Sequence, residues 1–116
     1  MLTDTRKINI LGTDVTVEFR KESDDSKLAE LSGYYDCTVA LIVVKVYEPD
    51  PLCVSDLERL QKETLRHEIL HAFLYESGVQ NCSASCDAWA TNEEMVDWFA
   101  IQPPKIFKIF NEQGLI

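Results

Sequence analysis

The sequence predicts a small α+β domain in which strands precede helices. Strand-like runs rich in Val and Ile lie in the first half of the chain, whereas helix-cap patterns and helical spacing of apolar residues dominate the second half. The chain has 116 residues, of which 46% are apolar and 27% are charged, a composition typical of globular proteins. This length supports one modest core, so we expect a single domain covering residues 1–116.

Three strands are expected in the first half of the chain. Residues 7–11 and 15–20 are short runs with Val, Ile and Phe, joined by a turn that contains Gly12, a pattern typical of a β-hairpin. Residues 38–47, TVALIVVKVY, are rich in β-branched side chains and predict a longer strand. Pro49 ends this strand because it cannot donate a backbone hydrogen bond.

Three helices are expected in the second half. Ser55 begins a capping-box pattern, and Gly78 is a plausible stop for the helix that follows. The side chains of this helix that we expect to face the core are Leu57, Leu65, Ile69 and Phe73. Thr91 begins a second capping-box pattern, and its helix ends near Gln102 because two prolines follow. A last short helix is expected over residues 105–112.

Charge and apolar patterning restrict the partners and the compartment. The formal net charge of −9 disfavours nucleic acid as a partner, since phosphate binding needs a basic surface. The longest apolar run, residues 39–44, is far too short to span a bilayer, and the N-terminal residues do not resemble a signal peptide. We therefore expect a cytoplasmic protein without a membrane partner. Its cysteines are expected to be free thiols: Cys37, Cys53, Cys82 and Cys86.

The segment RHEILHAF carries the only two histidines of the chain, His67 and His71. On a helix, residues four apart lie on the same face, so both imidazoles can direct a nitrogen at one metal ion. Glu68 is about 100° further round the helix, where it flanks the metal and can take a proton from water. The pattern H-E-x-x-H therefore predicts a zinc site with a general base beside it.

A third ligand must come from elsewhere, because a catalytic zinc ion takes three protein ligands and no histidine remains. The segment NEEMVD places Glu93 and Asp97 four residues apart on the next helix, so both can face the first helix. Glu93 would complete a His/His/Glu site. Asp97 would accept a hydrogen bond from a ligand histidine and fix its tautomer.

Three alternatives stay open at this point. The acidic residues of NEEMVD also fit a solvated helix start, where acids are common. Cys82 and Cys86 have a spacing that allows a closed structural zinc site with the two histidines. Finally, the chain can be a protein-binding module that holds zinc structurally or not at all. Four aromatic residues could then supply an apolar contact surface: Trp89, Trp98, Phe107 and Phe110.

The succession HEILHAF and NEEMVDWFA resembles the gluzincin branch of zinc metallopeptidases. It resembles most closely the small phage and bacterial ImmA/IrrE-type peptidases, in element order from residue 33 to residue 109. The resemblance implies that His67, His71 and Glu93 bind Zn²⁺. It also implies that Glu68 activates water and that Asp97 orients a ligand histidine.

The resemblance further implies a minimal zincin fold and hydrolysis of a protein or peptide substrate in a regulatory or phage context. The strand over residues 38–47 would flank the cleft, and a peptide could pair with its edge. One departure is that no third histidine is present to stabilise the oxyanion. Candidates for that role or for substrate contacts are Tyr34, Tyr35, Tyr75 and Arg66. A second departure is Arg66 itself, since peptidases usually carry an uncharged residue before the first histidine. The substrate and the oligomeric state stay open.

Overall fold

Four strands form one mixed sheet. The computed structural model of the chain describes residues 1–52, 55–82 and 88–116. Strand β1 (Arg6–Ile10) pairs antiparallel with β2 (Thr13–Lys21), and β2 pairs parallel with β4 (Leu41–Val46). Strand β3 (Gly33–Asp36) pairs antiparallel with β4. The order is β1-β2-β4-β3, so β1 and β3 are the edge strands and β4 is internal.

Three α-helices follow the strands: α1 (Leu57–Glu76), α2 (Glu93–Ile101) and α3 (Pro103–Glu112). Short 3-10 helices lie at Ser26–Ala29 and Trp89–Thr91. The α+β class, with strands before helices, is therefore confirmed. Within the described ranges, no helix has the length and apolar character that a transmembrane span needs.

Helix α1 lies between the sheet and α2 and contributes to two apolar clusters. The larger cluster joins β1, β2, β4 and α1, and its buried members are Ile10, Val15, Val17, Ile42, Val44, Leu65 and Ala72. The smaller cluster joins α1 to the segment that ends in α2 through Leu74, Ala90 and Val96. Because these contacts hold α2 against α1, the first turns of α2 are kept beside the middle of α1.

The N-terminal hairpin is confirmed. Its turn is formed by Leu11 and Gly12, whose φ angles are 52° and 95°. Two consecutive residues with positive φ are the mark of a type I′ turn, whose twist matches that of the paired strands. The side-chain oxygen of Asn9 accepts a hydrogen bond from the Gly12 amide at 3.1 Å and holds the turn.

The strand predicted over residues 38–47 is present as β4, but it begins three residues later than predicted. A short strand before it, β3, was not predicted, and the two strands form a hairpin. Asp36 makes the turn, because its carboxylate accepts a hydrogen bond from the Thr38 amide at 3.0 Å. Ala40 completes the reversal with a φ of 50°. Local side-chain bonding thus overrides the strand preference of the first residues in the run.

Two predicted helix caps are displaced by one residue. The N-cap of α1 is Asp56 rather than Ser55, and the N-cap of α2 is Asn92 rather than Thr91. In each case the side-chain oxygen accepts a hydrogen bond from the amide three residues later, at 3.0 and 2.9 Å. Adjacent residues with cap-forming side chains compete, and the path of the incoming chain selects between them.

Helix α3 begins at Pro103 rather than at residue 105, because proline needs no hydrogen-bond acceptor in the first turn of a helix. The expectation that Phe73 faces the core is also wrong, since 41% of its surface is exposed. The buried face of α1 runs through Leu65 and Ala72, and Phe73 lies about 100° round the helix from Ala72.

Candidate metal centre

Two histidines of α1 and one glutamate of α2 meet at a single point. The Nε2 atoms of His67 and His71 lie 3.1 Å apart. Glu93 Oε2 lies 3.2 Å from His67 Nε2, and Glu93 Oε1 lies 3.3 Å from His71 Nε2. The helical spacing aligns the two rings, and the cap at Asn92 puts Glu93 at the first position of α2, facing α1.

The donor set and its spacing fit a tetrahedral zinc ion. Zinc bonds to His nitrogen and carboxylate oxygen at about 2.0–2.2 Å, so neighbouring ligand atoms of a tetrahedral site lie roughly 3.3 Å apart. The Nε2–Nε2 distance of 3.1 Å is close to that edge length, and each imidazole has one oxygen of the Glu93 carboxylate at a similar distance, 3.2 Å for His67 and 3.3 Å for His71. Together His67, His71 and Glu93 could hold one metal ion and leave a fourth position open.

Asp97 contacts His67 from α2 in a position where it could fix the tautomer of the imidazole. Its Oδ1 lies 2.8 Å from His67 Nδ1, one turn along α2 from Glu93. In neutral imidazole one nitrogen carries the proton and the other is an acceptor. A proton on Nδ1, donated to Asp97, leaves the Nε2 lone pair directed at the cluster, which is the form that binds a metal.

Burial favours the metal-binding form of His71 as well. Loss of hydration in the half-buried site lowers the pKa of His71, although the neighbouring Glu93 carboxylate opposes this shift. The lowered pKa favours neutral imidazole near pH 7, so proton competition for its ligand nitrogen is weak.

Glu68 lies beside the cluster but is not part of it. Its side chain is buried, with only 7% of its surface exposed, and its Oε1 lies 4.0 Å from His67 Nε2. Burial raises its pKa to about 7, with a smaller contribution from the Glu93 carboxylate and an opposing one from His67. A carboxyl group with a pKa near neutrality can both accept and return a proton, as a general acid–base catalyst must.

A cleft runs along α1 on both sides of His67 and Glu68. One cavity, of about 280 Å³, extends towards the start of α1, and another, of about 400 Å³, extends towards its end. Both are lined by Gly33, the first residue of the edge strand β3. A larger open depression of about 700 Å³, between the ends of β2 and β4, is lined by none of the cluster residues.

Gly33 allows β3 to approach α1 closely. A Cβ atom there would lie 2.7 Å from the Thr64 methyl group and 2.7 Å from the Val43 carbonyl oxygen, closer than real Cβ contacts. Any larger residue would therefore push β3 away from α1 and widen the cleft. The sequence carries no signal of this role beyond a glycine at the start of a short strand.

Tyr34 and Tyr35 line the cavity of about 400 Å³ beside the cluster, but within the described residues neither hydroxyl makes a hydrogen bond to it. Side chains alternate along β3, and the Tyr34 hydroxyl donates to Asp25, before the 3-10 helix Ser26–Ala29. Tyr35 packs against the larger apolar cluster, and its hydroxyl is buried without a hydrogen-bond partner among the described residues. Burial is the main cause that raises the pKa of Tyr35 to about 12.

Tyr75 and Arg66 are engaged elsewhere. The Tyr75 ring packs edge-on against Tyr35, with ring centroids 6.1 Å apart. The Arg66 guanidinium donates to the Ala100 carbonyl, near the end of α2, and so joins the two helices. In the described part of the chain, no hydrogen bond or ion pair links any of the four candidate side chains to the cluster of His67, His71 and Glu93. The position of Arg66 before His67 thus has a structural reason.

Two alternatives remain, a closed zinc site with cysteine ligands and a protein-binding module, and the structure describes some of the residues on which they depend. Cys37 and Cys82 are free thiols, as expected, whereas Cys53 and Cys86 lie outside the described residues. The aromatic residues offered for protein binding are exposed by 39% to 61%: Trp89, Trp98, Phe107 and Phe110.

No protein-family model, curated protein or solved structure matches this chain. The fold and the cluster of His67, His71 and Glu93 are therefore the observations on which a function has to rest.

Proposed function

We propose that this protein is a zinc-dependent peptidase of the gluzincin type, related to the small ImmA/IrrE-type peptidases. His67, His71 and Glu93 hold the metal, and Glu68 is the general base. The observation that carries the proposal is the convergence of the two Nε2 atoms and the Glu93 carboxylate, at 3.1 to 3.3 Å, beside a buried carboxyl group in an open cleft. A solvated acidic helix start would not need to face two converging imidazoles.

The chemistry is the addition of water to a peptide bond. Zinc bound at this site would act as a Lewis acid, polarising the substrate carbonyl and making water more acidic. Glu68 takes a proton from the water molecule whose oxygen attacks the carbonyl carbon. It then delivers this proton to the peptide nitrogen as the C–N bond breaks, which releases an amine and a carboxylic acid that loses its remaining proton to solvent. Asp97 holds the His67 ring in place throughout.

The edge strand β3 is the element suited to hold an extended peptide. The sequence-based expectation that the strand over residues 38–47 would offer its edge is wrong, because β4 is paired on both sides by β2 and β3. Among the described residues, strand β3 is paired on one side only, with β4, and Gly33 to Tyr35 line the same cavity as His67 and His71. Backbone pairing there would place a peptide bond of the substrate over the cluster, whatever most of the side chains of the substrate are.

The ligand set is tested by the metal content of purified protein. Wild type should hold one zinc ion per chain. Glu93→Ala should lower zinc affinity by more than about 100-fold, beyond the usual effect of a residue that only orients a ligand. Glu94→Ala is the matched control, because Glu94 is an exposed carboxylate in the same helical turn. Equal zinc content in the two variants would remove Glu93 from the site.

A second candidate function, protein binding without hydrolysis, is favoured by the exposure of aromatic side chains on α2 and α3. Trp98 is 51% exposed and Phe107 is 56% exposed, so neither is used chiefly for core packing. This function predicts substoichiometric zinc and a melting temperature that chelation leaves unchanged. A peptidase with the proposed site predicts full occupancy, lower melting after chelation, and cleavage of a mixed peptide library by the zinc-loaded protein.

A further inference from the structure

The cavity that extends from His67 towards the start of α1 contains a carboxylate for which the proposed chemistry has no use. This cavity, of about 280 Å³, is formed by α1, the start of β3 and α2. His67, Glu68 and Asp97 belong to the machinery described above. The remaining lining residues are Ser32, Gly33, Leu60, Glu63, Thr64 and Ala100.

Glu63 is the only acidic residue among these remaining ones, and it is half-buried. It lies one helical turn before His67, on the same side of α1. No hydrogen bond or ion pair engages its carboxylate within residues 1–52, 55–82 and 88–116. Of the three Lys and Arg residues of α1, Lys62 lies 3.6 Å from Glu58 and Arg66 donates to Ala100. Arg59, one turn before Glu63, is exposed and forms no ion pair with it within the described residues.

The walls of this cavity are suited to a long alkyl chain. Leu60 and Ala100 are apolar, and Thr64 has a methyl group near Gly33. A side chain that enters beside Glu68 would therefore pass apolar surface before it reaches the Glu63 carboxylate. Lysine and arginine have this construction, an apolar stem with a cationic head. The net charge of −9 also favours the approach of cationic peptides.

We propose that this cavity is a subsite for a lysine or arginine side chain next to the scissile bond, and that Glu63 selects for it. The inference rests on the proposed peptidase function and specifies its substrate class as peptides with a basic residue at that position. Asp97 does not take the cationic head, because its carboxylate is bound to His67.

The test is peptide binding to the zinc-loaded Glu68→Gln variant, which measures recognition without turnover. Two otherwise identical extended peptides are compared, one with lysine and one with norleucine, which has nearly the same shape but no charge. The lysine peptide should bind about 10-fold more tightly, the effect of one partly desolvated ion pair. The preference should also decrease at high salt, because ions screen partly exposed charges.

Substitutions in the same background assign this preference to Glu63. Adding Glu63→Gln should abolish the preference for lysine, and adding Glu63→Lys should reverse it in favour of a glutamate peptide. Adding Glu58→Gln should leave the preference unchanged, because Glu58 lies on α1 outside this cavity. Equal binding of the lysine and norleucine peptides, binding of neither, or a preference that survives Glu63→Gln overturns the assignment.

Failure of the subsite and failure of the peptidase function give different results. If zinc-loaded wild type cleaves both peptides at equal rates, the protein is a peptidase and the basic subsite is wrong. If lysine peptides bind in a Glu63-dependent manner but wild type cleaves none of them, the subsite stands and hydrolysis is wrong.

Discussion

Two buried polar side chains of α1, seven residues apart, have opposite surroundings. Gln61 is 0% exposed and makes three hydrogen bonds with backbone groups, two with Leu2 and one with the Lys45 carbonyl, at 2.7 to 3.0 Å. Glu68 is 7% exposed and makes no hydrogen bond within the described parts of the chain. The hydrogen-bonding groups of Gln61 are thus satisfied within the fold, whereas those of Glu68 are not.

This difference separates a structural role from a chemical one. A buried amide whose donors and acceptor are all used stabilises the fold, and nothing further can bind to it. A buried carboxyl group without hydrogen bonds is costly, and folding stability alone does not account for it. The proposed chemistry would account for it, since that chemistry needs the Glu68 carboxyl group free for a proton and a substrate. The three predictions that follow test this contrast, from the largest expected effect to the smallest.

Glu68→Gln should retain zinc and lower kcat/KM for any cleaved peptide by about 10²- to 10⁴-fold, the range that general acid–base catalysis supplies. The amide has nearly the same shape as the carboxyl group but cannot accept the proton of water. Cleavage rates and zinc content should be measured on the same preparation. Glu58→Gln on the exposed side of α1 is the control and should match wild type. A Glu68→Gln variant as active as wild type would exclude the proposed chemistry.

The free energy of unfolding of the metal-free protein should decrease as the pH rises from about 4.5 to 7, because of the raised pKa of Glu68. Burial raises the pKa of Glu68 from 4.5 to about 7, so between these values the native state holds a proton that the unfolded chain has released. The contribution of Glu68 to the free energy of unfolding is therefore largest below pH 4.5 and decreases as the pH rises. The complete shift corresponds to about 3 kcal/mol.

Urea unfolding of wild type and Glu68→Gln, both in chelator, measures this effect. At pH 8 the variant should be more stable than wild type by up to about 3 kcal/mol, and below pH 4.5 the two should converge. The difference between them is the quantity to follow, because His71, whose pKa is lowered by burial, adds a slope of opposite sign to both proteins. Parallel pH profiles would show that Glu68 is not buried as a neutral acid.

Gln61→Ala should lower the free energy of unfolding by about 2 kcal/mol, since it leaves three backbone groups without their partners. Zinc content and the pH profile should not change, because Gln61 lines neither cavity of the cleft. Gln113→Ala, at the exposed end of α3, is the control and should cost less than about 0.5 kcal/mol. If Gln61→Ala also lost zinc, the two regions of α1 would not be independent.

Local sequence patterns predicted much of the fold and identified the candidate site residues. The hairpin, the three helices and the α+β class follow from strand and helix periodicities, which act over a few residues. The displaced caps at Asp56 and Asn92 show the limit of this reasoning, because neighbouring residues had nearly equal cap preference. Strand β3 was missed because four residues carry too little pattern. Its pairing with β4 also depends on the reversal of the chain between the two strands.

By itself, the sequence determined that His67 and His71 share one face of a helix with Glu68 beside them, because helix geometry alone fixes the relation of residues four apart. Only the tertiary structure decided that Glu93 of α2 meets both imidazoles, that β3 is the strand beside the cleft, and that Glu63 has no partner on α1. These relations depend on how separate elements pack, and packing is set by the apolar clusters that hold α1 against the sheet and against α2.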